Sequence, residues 1–79
     1  MEIFVLDLVK VTYYDVTEFE EFEYKQALDE LKPDTIELIG WQLKRDKKYL
    51  ILAIGKSDET YEHVYVIPNG CIKNVEYLK

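Results

Sequence analysis

His63 and Cys71 are the only imidazole and the only thiol in this chain of 79 residues. A cysteine–histidine nucleophile needs both side chains within hydrogen-bond reach and a third group to orient the ring. The two residues sit at opposite ends of one predicted strand, so that pairing is not expected. Cys71 reads instead as a buried structural thiol and His63 as a surface residue. Ser57, the sole serine, lies in a predicted turn with no base nearby, which argues against a hydrolase triad. Glu18, Glu20, Glu21 and Glu23 are paired closely enough for acid–base work, but they fall on an expected solvated face, where such work has no setting. One histidine and one cysteine leave zinc without a ligand set. The acidic stretch also lacks the glycine and spacing of a calcium loop, and no glycine-rich phosphate loop is present. A non-enzymatic protein with no cofactor and no metal is expected.

Binding chemistry is better supplied. Seven tyrosines (Tyr13, Tyr14, Tyr24, Tyr49, Tyr61, Tyr65, Tyr77) and Trp41 bring large contact areas, most with a hydrogen-bonding tip. Tyr61, His63 and Tyr65 alternate on one face of a predicted strand. With Trp41 and Tyr49 beside them and Lys44, Arg45, Lys47 and Lys48 at the rim, such a surface would stack a base and pair with a phosphate. The competing reading has the tyrosines filling barrel and subunit contacts.

Charge sharpens the choice. Sixteen acidic residues against ten basic ones give a net charge of −6, which opposes the counterion release that drives nucleic-acid binding. Direct nucleic-acid binding is therefore not expected. The charges are also segregated: seven carboxylates lie between Asp15 and Glu30, whereas Lys44, Arg45, Lys47 and Lys48 fall close together. The basic turn favours an anionic small-molecule ligand. The acidic segment favours another role, a protein-interaction inhibitor that imitates nucleic-acid phosphates through Glu18, Glu20, Glu21 and Glu23.

The elements that must position these groups follow from the apolar pattern. Apolar residues make up 48% of the chain, enough to fold, and its length allows one domain over 1–79. The opening Met1-Glu2 has neither the basic start nor the apolar centre of a signal peptide, and no run approaches membrane-spanning length. A soluble, cytoplasmic protein is expected. Residues 3–14 read as a long strand, apolar on both faces at its start. Thr17-Glu18-Phe19-Glu20 has the form of a capping box, and Phe19/Phe22 and Leu28/Leu31 stand at helical spacing, so a helix is predicted near 17–32 until Pro33 stops it. Strands follow at 35–43, 49–55, 61–67 and 72–78, joined by short turns that demand antiparallel neighbours. Leu50, Leu52 and Ile54 are expected to face one core with Val64 and Val66 opposite. Tyr49 and Ile51 then leave the outer face apolar, to be covered by the helix or by a second copy of the chain. A homo-oligomer is expected.

The fold class predicted is mainly β with one inserted helix: a small five-stranded antiparallel barrel. Ile67-Pro68-Asn69-Gly70-Cys71-Ile72 gives it a closer likeness. It resembles the one-turn 3₁₀ link before the last strand of Src-homology-3-like and Sm-like barrels, an aliphatic residue and Pro followed by two variable residues and an apolar pair. The paired tryptophans and acidic loop spacing of peptide-binding signalling domains are missing, so proline-rich peptide recognition is not implied. The chain is also similar to a group of small bacterial and phage proteins, through Gly40-Trp41, Tyr49-Leu50-Ile51-Leu52-Ala53 and Val66-Ile67-Pro68-Asn69-Gly70-Cys71-Ile72 followed by Val75 and Leu78. Asn69 stands where that group frequently has lysine. The resemblance implies a phage or mobile-element setting. It makes the expected function counter-defence, in which a self-associated barrel sequesters a small nucleotide-derived anion, and it makes a host protein the target of the alternative acidic inhibitor.

Overall fold

The computed structural model describes residues 6–16, 18, 21, 23, 25 and 28–78. Five runs of apolar and β-branched residues, bounded by turn formers, become strands: β1 (Asp7–Tyr14), β2 (Thr35–Arg45), β3 (Tyr49–Lys56), β4 (Tyr61–Pro68) and β5 (Ile72–Leu78). All pairings are antiparallel, in one sheet of order β4-β3-β2-β1-β5. The proline corner behaves as its residues dictate. Pro68 holds φ at −60°, and Asn69–Cys71 makes a single 3₁₀ turn between β4 and β5.

The expected closed barrel is corrected to an open sheet. After the 3₁₀ turn β5 takes its hydrogen bonds from β1 rather than returning to β4, so β4 and β5 are the two edges among the described residues. The sheet nevertheless curls. Val9 and Val11 of β1 share one buried cluster with Leu50 and Leu52 of β3 and Ile67 of β4, and Tyr13, Leu38, Ile54, Ile72 and Val75 pack against it. The Tyr13 phenol is pushed above its ordinary value by burial, then by the charges of Asp15 and of Tyr65 across the core. Four of the cluster's side chains are fully enclosed, and each contributes about 1.5–3 kcal/mol relative to exposure.

The β3–β4 register reverses one expectation. Leu50 and Leu52 pair with Ile67 and Tyr65, while Val64 and Val66 pair with Ala53 and Ile51 on the outer face. Both faces of β4 are apolar, so burying Ile67 at the proline corner decides which set turns inward. Glycine matters where β2 and β3 approach each other. A Cβ at Gly40 would collide with the Ala53 carbonyl oxygen and press on the Leu52 side chain.

Two β-bulges re-aim side chains. Between the Gln42–Leu52 and Lys44–Ile51 pairs Leu43 is the extra residue, and this places Lys44 on the outer face. Between the Tyr13–Ile72 and Thr12–Asn74 pairs Lys73 is the extra residue. Without that bulge Lys73 would oppose Tyr13 on the core side. With it, Ile72 takes the core position and Lys73 is exposed.

The helix predicted near 17–32 falls in part outside the described residues, and no α-helix is seen among those that are described. Thr17, Phe19, Glu20, Phe22 and Tyr24 lie outside the described residues. Glu18, Glu21 and Glu23 are not helical, and the only helical turn among the described residues of this stretch is the 3₁₀ turn Leu28–Glu30.

Candidate functional site

Strand alternation sorts the expected binding residues between two faces. Trp41 pairs with Ala53, and Lys44 pairs with Ile51, both on the outer face. Tyr49 pairs with Pro68 on that same face, four residues along β3 from Ala53, about 13 Å at the usual strand rise. Trp41, Lys44 and Tyr49 are therefore brought to one surface.

An apolar row crosses the sheet beside them, while Lys10 and Glu76 form an ion pair on the same face. One residue from each strand forms a continuous row, Leu78–Leu8–Trp41–Ala53–Val64, through successive cross-strand pairs. Ala53, next to Trp41 in this row, is fully buried although it is no part of the inner cluster. Ile39 and Val66, in flanking positions, are 53% and 58% exposed. The cation that meets the indole comes from β3: Lys56 Nζ lies over the Trp41 ring, 5.1 Å from its centroid, within the range of cation–π attraction.

The remaining expected residues are placed elsewhere. Arg45 pairs with Leu50 at the end of β2, on the opposite face from Lys44. Lys47 and Lys48 are exposed in the β2–β3 turn. Tyr65 faces inward opposite Leu52, and Tyr61 pairs with Lys56. Tyr61 thus stands seven residues along β3 from the Tyr49–Pro68 pair, about 23 Å away. His63 is exposed and has φ 52°, in the left-handed region, where the β3–β4 ladder skips a pair. The ring surface expected from Trp41, Tyr49, Tyr61, His63 and Tyr65 together is not one patch. Of the acidic alternative, Glu18, Glu21 and Glu23 are exposed and Glu20 lies outside the described residues.

Asp46 builds the basic turn. Its Oδ1 accepts from the backbone N–H groups of Lys48 at 2.8 Å and Tyr49 at 2.9 Å. Its Oδ2 stands 3.6 Å from Lys44 Nζ. The N–H of Tyr49 first, then that of Lys48, holds the Asp46 carboxyl below the usual carboxylate range. Asn69 locks this turn to the proline corner: its Nδ2 donates to the Asp46 carbonyl at 2.8 Å and its backbone N–H to the Lys48 carbonyl at 2.9 Å.

Sequence reasoning missed two cations, Lys56 and Lys73. Lys56 reaches Trp41 only through the β2–β3 register, and Lys73 is exposed only through a bulge. Among the described residues no group of three His, Cys, Asp or Glu side chains is placed to hold a metal ion, and no helix is long and apolar enough to cross a membrane. No protein family, curated protein or solved structure matches this chain.

Proposed function

We propose that the chain is a non-catalytic binding module that captures a small nucleotide-derived anion on its outer sheet face, with Trp41 as the platform and Lys56 and Lys44 as the cations. One observation carries the reading: an ammonium stands over the only tryptophan, which lies within the apolar row Leu78–Leu8–Trp41–Ala53–Val64. An exposed lysine over an indole gains about 0.5–1 kcal/mol. A base stacked on an aromatic ring gains about 1–3 kcal/mol. A nucleotide therefore displaces Lys56 from the ring at a profit, and the freed ammonium pairs with the phosphate of the same ligand in a charge-assisted bond.

The strand order and the 3₁₀ link between β4 and β5 support a Src-homology-3-like arrangement as part of this proposal. The setting that fits is a phage or mobile-element protein that withholds a nucleotide signal from a host defence. Self-association through the exposed Ile39, Val64 and Val66, in and beside the row, belongs to the same reading.

Calorimetry with cyclic dinucleotides and ADP-ribose-type nucleotides tests it. Binding of at least one ligand, weakened roughly tenfold in Lys56→Ala by loss of a charged contact, is expected. Absence of heat with every one of them removes the proposal.

A further inference from the structure

A second feature lies about 20 Å from Trp41, six residues along β1 from the Leu8–Trp41 pair to the Tyr14–Thr35 pair. Two adjoining cavities of about 490 and 560 Å³ share Tyr14, Lys32 and Pro33. Thr35 and Lys73 complete the wall of one, and Asp15, Val16, Leu31 and Cys71 that of the other. Small-molecule sites are concave, mostly apolar, and carry a few convergent polar groups. This cleft is open to solvent, with a mostly apolar lining and two lysines in its wall.

We infer that the cleft is a binding site for a small phosphate monoester with a flat apolar body, separate from the Trp41 surface. Two lysines line it from separate segments, Lys32 just before β2 and Lys73 on β5. Lys73 is there because of the β5 bulge. In regular alternation it would oppose Tyr13 on the core side, and the extra residue turns it to the wall that Tyr14 and Thr35 form. Bulges that re-aim a side chain are over-represented beside active sites. Among the described residues neither lysine is in an ion pair, whereas Lys10 and Lys44 both are.

The rest of the lining selects the ligand. A phosphate monoester carries close to two negative charges at neutral pH and three acceptor oxygens, which suits two lysines and the Thr35 hydroxyl better than a single carboxylate does. The exposed Tyr14 ring and Pro33 give the body of the ligand a flat apolar wall. Asp15 lines the far cavity, with its Oδ1 accepting from the Val16 N–H at 2.9 Å. Its charge repels a second anionic head and so fixes which end of the ligand enters.

Titration of the isotope-labelled full chain, followed through its backbone amide resonances, tests the site with phenyl phosphate, benzoate and inorganic phosphate at matched ionic strength. Saturable shifts at Tyr14, Thr35 and Lys73 with phenyl phosphate are expected, weakened roughly tenfold in Lys73→Gln and in Lys32→Gln, since each loses a charged contact. Trp41→Phe should leave these shifts unchanged, which separates this site from the outer-face proposal. Both lysines are exposed, and an otherwise native spectrum verifies that each variant folds. Any one of three results overturns the inference: no shift at the cleft with phenyl phosphate, equal binding by inorganic phosphate, or tighter binding by benzoate.

Discussion

The side-chain amide of Asn69 donates to the main-chain carbonyl of Asp46 at 2.8 Å, across 23 positions of sequence. That single bond ties the basic β2–β3 turn to the 3₁₀ corner before β5, so the end of the sheet carrying Lys44 and Tyr49 is held from two sides. Asn69 Oδ1 is buried with no partner among the described residues, so the side chain acts here through its donor rather than its acceptor.

Asn69→Ala and Asn69→Asp should therefore differ. Alanine removes the donor and the unpaired oxygen together, for a net loss of about 0.5–1.5 kcal/mol. Aspartate puts a carboxylate against the Asp46 carbonyl and is expected to cost more than alanine. Urea denaturation of the two variants beside the parent measures this, and a smaller loss in Asn69→Asp would contradict the donor assignment.

Acid should loosen the same turn. The Asp46 carboxyl titrates lower in the folded chain than in the unfolded one, because the N–H groups of Tyr49 and Lys48 favour its charged form. The folded state then binds fewer protons, and stability rises with pH through this window. The Asp46 contribution is complete above the ordinary aspartate value of about 3.9 and lost as pH falls through its lowered folded value. Denaturant midpoints between neutral pH and strong acid should show a smaller acid loss in Asp46→Asn than in the parent, and parallel curves would refute the assignment.

Of the three glycines, Gly40 is the one most closely approached. Alanine there meets the Ala53 carbonyl oxygen, which belongs to backbone and cannot swing away. Forcing such a contact costs about 1–3 kcal/mol, and Gly40→Ala should lower the melting temperature accordingly. A variant as stable as the parent would mean that β2 and β3 lie farther apart than described.

His63 can be tested by a pair of substitutions. A left-handed backbone is tolerated by histidine and poorly by a β-branched residue. His63→Val should destabilise the chain, while His63→Gly should hold or gain stability. If the two variants melt together, φ at this position is not positive.

The sequence made strand positions legible because alternation and turn formers agree: β4 and β5 were expected at 61–67 and 72–78, and they end within a residue of those limits. The 3₁₀ corner was legible from Pro68-Asn69-Gly70 for the same local reason. Register was not. Val64 and Val66 are as apolar as Tyr65 and Ile67, so alternation along β4 cannot say which pair turns inward. Bulges defeat the pattern more completely, since one extra residue at Leu43 and another at Lys73 reverse the face of everything beyond them. For the binding surface, the parity of Trp41, Tyr49 and Lys44 became a shared face only through the first of these bulges. Lys56 stayed hidden because its reach to the indole depends on a pairing between strands that no local signal encodes.

Trp41 is the only tryptophan, so its fluorescence reports directly on the proposed platform. Titrating the chain with cyclic dinucleotides and ADP-ribose-type nucleotides should give saturable quenching with at least one of them, shifted to higher ligand concentration in Lys56→Ala and Lys44→Ala. Emission that does not change under any of these ligands, or quenching identical in the parent and both lysine variants, would contradict the account.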